Sequence, residues 1–367
     1  ILATSSNSDI ATNDFCSMED VKEVLEKGKT KSSIIVSSDL RIDLRIVDAD
    51  SWGAAMIYFT GSIDHNIALR DLANTKGWKL NEYGLFEDGA ENKKISGKTE
   101  REVYERLGLD YIPPELREDT SEVEAAKNGS LPDLVEQDDI RGDLQMHTNY
   151  SDGKASVEEL AEKADELGYE YILITDHGPS LTVAEGPATL EELEEQREEI
   201  EEANREHDVE ILQGIEANIT KEGIDISNQM IETLDVLVVA MHSRLENPTE
   251  RVTEVFEKYP VDIFAHPLNR IIGEREGHDL DMEKVVDSAE KNNVALEINS
   301  QPNRLDLPWG LVKKYRDRVS FAVSTDAHRT GEMEYMHLGV SQARRGWLEK
   351  ENIINAGKLS DMKNYFR

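Results

Sequence analysis

The chain has one cysteine, Cys16, in 367 residues. An internal disulfide is therefore excluded, and this usage fits a reducing compartment. Basic residues are also scarce: 41 Lys and Arg stand against 76 Asp and Glu, a formal net charge of −35. No apolar run approaches the ~20 residues that span a bilayer, and no secretory signal opens the chain. A soluble, cytoplasmic protein with no membrane partner is expected. The first residue, Ile1, reads as a processed end or a cut from something longer. Acidic runs such as Glu191-Glu192-Leu193-Glu194-Glu195 read as helix faces solvated in high intracellular salt, as in a halophilic cell. Acidity does not exclude nucleic acid, because bound cations and local Lys or Arg reverse the field at a site.

What is present begins with two composition regimes. The first 121 residues open on a polar run and continue with a helical pattern at about Met18–Lys27. Two β-branched strands, Ser33–Val36 and Arg41–Val47, suggest a hairpin. Helical patterns occupy about Ser51–Phe59 and His65–Lys76. Thr99-Glu100-Arg101-Glu102 is a capping box opening another helix, stopped by Pro113-Pro114. Residues 122–140 are acidic and broken by Gly129 and Pro132, which suggests a linker. From 141 to 367 strand and helix patterns alternate, with strands at 143–147, 171–175, 210–215, 235–241, 261–265, 294–298 and 319–324. Amphipathic helices at 156–167, 189–206, 249–257, 281–291 and 308–316 lie between most of them. Seven βα units suggest an α/β domain closed as a parallel barrel rather than an open sheet, a choice that pattern alone leaves open; the barrel places its site at the carboxyl ends of the strands.

Those ends carry metal-ligating side chains. Gln145 and His147 close the first strand, with Asp152 on the turn beyond it. Asp176 and His177 close the second, Glu216 the third, His242 the fourth, His266 the fifth, and Asp326 and His328 the seventh. Each alone reads as a capping or hydrogen-bonded polar group. The series does not, because buried imidazoles and carboxylates are costly unless they are paired or hold a cation. Asp176 is expected to orient the His177 ring rather than to ligate. Glu297 and Asn299, ending the sixth strand, hold metal, substrate or neither. His65, His207, His278 and His337 read as ordinary surface or packing histidines.

Gly142-Asp143-Leu144-Gln145-Met146-His147, Tyr150-Ser151-Asp152-Gly153, Thr175-Asp176-His177, Ala265-His266-Pro267 and Ser324-Thr325-Asp326-Ala327-His328 together resemble the PHP (polymerase and histidinol phosphatase) family over about 141–350. The resemblance implies a distorted (β/α)7 barrel holding up to three Mn²⁺ or Zn²⁺ ions that hydrolyse phosphoesters, with His147, Glu216 and Asp326 at the catalytic centre. One ion would take His147, Glu216 and Asp326, with Gln145 beside it. A second would take the bridging Glu216 with His242 and His266. A third would take Asp152, His177 and His328. Gln145 departs from the family, which usually has His there, and an amide is the weaker ligand. From position alone, Arg244 and Arg270 are candidates to hold phosphate.

The first third carries a second resemblance. Arg41-Ile42-Asp43-Leu44-Arg45, Tyr58-Phe59-Thr60-Gly61-Ser62, Asn66, Arg70 and Leu80-Asn81-Glu82-Tyr83-Gly84-Leu85 are similar to the palm and thumb of family X DNA polymerases, in members that carry a PHP domain. The resemblance implies that Asp43 is the third palm aspartate, with Arg41 as its electrostatic neighbour. Tyr58, Phe59, Gly61 and Ser62 would line the nucleotide, with Asn66 at its minor-groove edge and Arg70 on the template. The Asp-x-Asp pair that completes such a site is missing, and one carboxylate cannot hold two ions. The chain alone is expected to polymerise nothing. Nucleotidyl transfer with Mg²⁺ would need the missing amino-terminal half. The expected function is DNA repair, with a barrel that processes 3′ ends as a 3′–5′ exonuclease. The alternatives are a histidinol-phosphate type of phosphatase, or a metal-stabilised scaffold without catalysis.

Overall fold

The computed structural model describes residues 1–89, 93–181, 186–187 and 189–366. They fall into two compact units, Ile1–Leu131 and Pro132–Arg367. No helix among the described residues is long and apolar enough to cross a membrane.

The first unit opens with β1 (Leu2–Ala3), α1 (Ser8–Cys16), β2 (Val21–Lys27), β3 (Lys31–Val36) and β4 (Arg41–Ile46). The strands form one sheet in the order β1-β4-β3-β2, with β1 parallel to β4 and the other pairs antiparallel. The helix expected over 18–27 is therefore a strand from Val21 onward. Its Val, Leu and Val spacing matches a helical stripe, but six of its seven side chains are exposed, so no apolar face had to be buried. Backbone pairing with β3 decides the conformation. α2 (Trp52–Thr60) and α3 (Ile63–Thr75) follow as expected, then an antiparallel sheet of β5 (Trp78–Asn81), β6 (Gly84–Glu87) and β7 (Lys94–Ser96) that the sequence reading does not anticipate. α4 (Glu100–Leu107) starts at Thr99, whose hydroxyl accepts from the Glu102 amide. It ends at Gly108, which adopts the left-handed conformation at φ +79°, and not at Pro113-Pro114.

The expected linker is not free chain. Residues 122–128 form α5 (Glu122–Asn128) of the first unit. Beyond the boundary, Val135 and Ile140 are buried in the core of the second unit. Apolar anchors at both ends of an acidic stretch override its polar composition.

The second unit alternates β8 (Gly142–Met146), α6 (Val157–Leu167), β9 (Tyr171–Ile174), α7 (Leu190–Glu206), β10 (Glu210–Asn218), α8 (Asn228–Ile231), β11 (Val236–Ala240), α9 (Pro248–Lys258), β12 (Ile263–Phe264), α10 (Met282–Asn292), β13 (Ala295–Asn299), α11 (Trp309–Tyr315) and β14 (Phe321–Ser324). Two further helices, α12 (Met336–Arg345) and α13 (Leu359–Tyr365), end it. The seven strands are parallel in sequential order, so every connection crosses over through the outer helices. Nearly every strand residue is buried, which suits a sheet covered on both faces. The barrel is nearly closed: one parallel bridge joins Met146 to Ala327, and the His147 amide donates to the Ala327 carbonyl at 2.8 Å. Buried Asp143, on β8, accepts from the amide and hydroxyl of Thr325, tying the same seam. This closure carries the end of β14 to the end of β8.

Candidate metal centre

At the carboxyl mouth of the barrel, the imidazoles converge on three carboxylates, those of Glu216, Asp326 and Asp152. His147 lies between His177 and His328, with ring centroids 4.4 Å and 4.3 Å away. Ligand atoms of His147, Asp152, His177 and His328 all lie within 4.8 Å of one another, and those of His177, Glu216 and His242 form a second such group. Glu216, fully buried on β10, is the hub. Its Oε1 is 2.7 Å from His266 Nε2 and 3.4 Å from His242 Nε2; its Oε2 is 3.0 Å from His177 Nδ1 and 3.6 Å from His147 Nε2. Asp326 Oδ1 stands 3.1 Å from His147 Nε2, and Asp152 Oδ1 stands 3.2 Å from His328 Nε2 and 3.6 Å from His177 Nε2.

The donor set fits cations better than it fits itself. Among the described residues, and apart from these imidazole–carboxylate approaches, both Glu216 oxygens, Asp152 Oδ1, His147 Nδ1, His177 Nδ1 and His266 Nδ1 are buried without a hydrogen-bond partner. Orphaned buried acceptors are costly unless a cation satisfies them. Burial works against ionisation of Glu216, yet His242, His177 and His266 hold its carboxyl well below the usual range. Burial and the Arg304 charge push His266 down to about 4, leaving the neutral ring that can ligate. Against the burial cost, Asp152 and Asp326 raise His328 to about 9.

Neighbouring groups set ring orientation. His242 faces Asn218 Oδ1 with its Nδ1 at 3.3 Å, which turns Nε2 toward Glu216. His328 Nδ1 lies 2.8 Å from the Asp326 carbonyl, which turns its Nε2 toward Asp152. Asp176 does not orient the His177 ring, as the sequence had suggested. Its carboxylate accepts from the Thr148 amide at 2.8 Å, the Thr148 hydroxyl at 2.6 Å, the Ser151 hydroxyl and Gln196 at 2.7 Å, so it fixes the loop that carries Asp152. His266 (φ +25°) and Asp326 (φ +53°) hold unusual positive-φ backbone conformations, a local strain of the kind found at functional sites.

Three expectations are redistributed by the geometry. His147 keeps Glu216 (3.6 Å) and Asp326 (3.1 Å) within reach and also joins the Asp152, His177 and His328 group, and His177 is shared between two groups, because the nearly closed barrel sets β8 between β9 and β14. Gln145 turns its amide to Glu297, to whose two oxygens the nitrogen donates. Buried Glu297 also accepts from the His266 amide at 2.6 Å and from Asn299 at 3.2 Å, and burial beside Asp326 raises it well above the ordinary carboxylate range. Arg244 is exposed. Arg270 is spent on the backbone carbonyls of Arg304 (2.9 Å) and Leu305, because the loop after β13 passes over it. The arginine that reaches the centre is Arg304, its Nε 3.7 Å from Asp326 Oδ2. Sequence reasoning missed it, although it lies just past a strand end like Arg244 and Arg270.

In the first unit, Asp43 on β4 accepts from Ser33 and from Arg41 Nε (3.2 Å) and Nη2 (3.0 Å), which lower its carboxyl, the Ser33 bond most. Asp43 and Phe59 line one cavity of about 610 Å³ with Arg45, Trp52 and Met56. Tyr58 and Phe59 are 39% and 42% exposed on the end of α2, their rings edge to face at 5.0 Å, so both are free to meet a ligand. Gly61 caps α2 and the Ser62 hydroxyl caps α3, accepting from the His65 amide. Asn66 braces this turn by donating to the Tyr58 carbonyl at 3.0 Å, and Arg70 Nε donates to Asn66 O at 3.3 Å within its own helix. His65, read as ordinary, is fully buried, with Nδ1 2.6 Å from Glu122 and Nε2 3.1 Å from the Tyr104 hydroxyl.

Profiles of known families match both units of the chain. A profile of the DNA polymerase beta thumb matches residues 55–118, and one of the PHP domain matches residues 143–349. The chain is 37% identical over 95% of its length to the "DNA polymerase/3'-5' exonuclease PolX" of Bacillus subtilis (strain 168), of which it covers 62%. It is 26% identical to a "Probable phosphatase" of Thermoanaerobacter sp. (strain X514), over 59% of this chain and 93% of that protein. Among solved structures, a histidinol phosphate phosphatase from Lactococcus lactis, complexed with zinc, L-histidinol and phosphate, shares 15% identity at a TM-score of 0.40, covering 55% of this chain and 93% of that one. With more than half of its residues in the matched segment and the ligand-bearing barrel that segment forms, the chain belongs to the PHP domain family.

Proposed function

We propose that the barrel is a divalent-metal phosphoesterase acting on DNA 3′ ends, as a 3′–5′ exonuclease or 3′-end processing activity, inside a DNA-repair polymerase of family X. The observation that carries this reading is the ring of orphaned ligand atoms around Glu216, in a chain that also matches a polymerase thumb. His147, Asp152, His177 and His328 would hold one ion. Glu216, His177, His242 and His266 would hold another, with Asp326 at the shared edge. Such ions, Mn²⁺ or Zn²⁺, polarise phosphoryl oxygens and lower the pKa of water when bound. The chain's own part is geometric. Glu216 links the two groups, Asn218 fixes the His242 tautomer, and Asp176 holds the Asp152 loop.

The first unit would grip DNA through Tyr58, Phe59, Gly61, Ser62, Asn66 and Arg70. Its Asp43 would serve nucleotidyl transfer with Mg²⁺ only beside an amino-terminal half that supplies two further aspartates. A cytoplasmic location goes with this reading. So does a salt-adapted host, which requires the fold to melt higher in molar than in millimolar KCl. A second reading, a small-molecule phosphatase, is favoured by the likeness to a protein named as a probable phosphatase. The Gln145–Glu297 pair favours a third, a metal-stabilised scaffold, since it takes one position out of the ligand set.

The test is incubation with Mn²⁺ and end-labelled single-stranded, gapped and abasic DNA, alongside histidinol phosphate, against a His242→Ala/His266→Ala variant. Shortening of DNA that disappears in the variant is expected. Phosphate release from the small molecule alone would establish the phosphatase instead, and inactivity with metal retained would leave the scaffold.

A further inference from the structure

Beside the metal centre, three arginines gather in a protein whose net charge is −35. Arg304 and Arg275 share one acceptor: Arg304 Nη1 donates to Asn269 Oδ1 at 2.9 Å and Arg275 Nη2 to the same oxygen at 2.7 Å. Those two nitrogens are therefore no more than about 5.6 Å apart. Arg275 Nε also donates to the Asn269 carbonyl at 3.0 Å, so its guanidinium is held in place, not waving in solvent. Asn269 is itself anchored, donating to the Met241 carbonyl at 3.0 Å beside His242. Arg270 holds the other side of the loop through the carbonyls of Arg304 and Leu305.

Like charges do not gather without a counter-charge. Burial, then the neighbouring charges of Arg304 and Arg244, depress the pKa of Arg275. Among the described residues, neither Arg275 nor Arg244 forms an ion pair, and Arg304 reaches only Asp326 at 3.7 Å. Two cations thus stand together beside the ligand Asp326: Arg304, whose Nε is 3.7 Å from its carboxylate, and Arg275, which shares an acceptor with Arg304. A phosphomonoester has its one phosphate at the ions and nothing to offer Arg275. A nucleic-acid strand has a second phosphate in the next residue.

We propose that Arg304 and Arg275, positioned by Asn269 and Arg270, form a clamp for the phosphate that flanks the scissile one in a nucleic-acid strand. This rests on the phosphoesterase reading above and adds to it a second phosphate subsite, which requires a strand with at least two phosphates. Guanidinium forks suit phosphate oxygens, and each phosphate neutralised steepens the dependence of binding on salt.

The measurement is binding, by fluorescence anisotropy, of a labelled thymidine trinucleotide to the whole chain with Ca²⁺ in place of Mn²⁺, compared with labelled thymidine 5′-monophosphate. Arg275→Gln is expected to raise the trinucleotide Kd about tenfold and to flatten its salt slope by about 0.7. The monophosphate Kd should move less than twofold. Arg275→Lys, which keeps the charge and loses the fork, should recover only part of the affinity. Arg304→Gln should weaken both ligands, the trinucleotide more. Equal loss for both ligands with Arg275→Gln, or no loss for either, would overturn the clamp. Cleavage of labelled DNA by the unaltered chain with Mn²⁺ reports on the phosphoesterase reading separately, and its absence would overturn that reading while leaving the binding comparison intact.

Discussion

Glu216 is the residue on which the centre turns, since four imidazoles point at its two oxygens across distances of 2.7 to 3.6 Å. Replacing it with Gln keeps the volume and removes the charge that balances any bound cations. Glu216→Gln should therefore bind metal at least a hundredfold more weakly, beyond the ~10–100-fold typical of residues that only support ligands. Elemental analysis of purified protein checks this, and wild-type stoichiometry in the variant would contradict the hub role. Glu122 is the corresponding residue of the first unit. It is fully buried, and although burial alone would raise its pKa, the bond from His65 and the amides of Glu122 itself and of Thr120 (2.7 Å) hold it below the usual value. A depressed carboxyl contributes stability above its unfolded pKa of about 4.3 and loses it as pH falls through the lower folded value. Glu122→Gln should cost about 1–3 kcal/mol at pH 7, and the gap to wild type should close as melting is followed below pH 4. At this scale the sequence was legible where chemistry is rare. An imidazole or carboxylate at strand end after strand end needs a cation. It was illegible for His65, whose burial depends on α4 and α5 packing over it.

At the level of elements, the helices and strands of the barrel fall within a few residues of where apolar periodicity puts them, because each buries a continuous apolar face against its neighbours. Three helices of the second unit, α8, α12 and α13, were not anticipated; the other failures lie in the first unit, where elements are short and half exposed. β2 buries little and takes its conformation from pairing with β3; β5 to β7 are three or four residues each, too short for a periodic signal. Close contact here rests on Gly53, at the start of α2, whose amide donates to the Lys98 carbonyl at 3.1 Å. A Cβ at Gly53 would sit 2.0 Å from the Thr99 carbonyl carbon, against backbone that cannot rotate away. Gly53→Ala should cost about 3 kcal/mol or more and lower the melting temperature of this unit by roughly 10 °C. Gly89→Ala, with nothing within 4 Å of the added carbon, is the control and should be near neutral. Equal stability of both variants would remove the close approach of α2 to the start of α4.

For the whole molecule, the two units have separate cores, and among the described residues the clusters of three or more ligand side chains lie in the second. A ligand that binds only the folded state stabilises it by mass action. Chelation should therefore lower the calorimetric transition of residues 132–367 by several degrees and leave that of residues 1–131 in place; a shift of both, or of neither, would contradict this division. The sequence by itself determined the alternation of strand and helix, the choice of ligand side chains and their location at strand ends, because periodicity and residue chemistry act over a few positions. It did not determine which ligand side chains lie within reach of one another, that Gln145 faces Glu297, or that Arg304, rather than Arg270, reaches Asp326. Those were settled by the seam between Met146 and Ala327 and by the path of the loops after β12 and β13, which bring together residues far apart in the chain through contacts that local spacing does not encode.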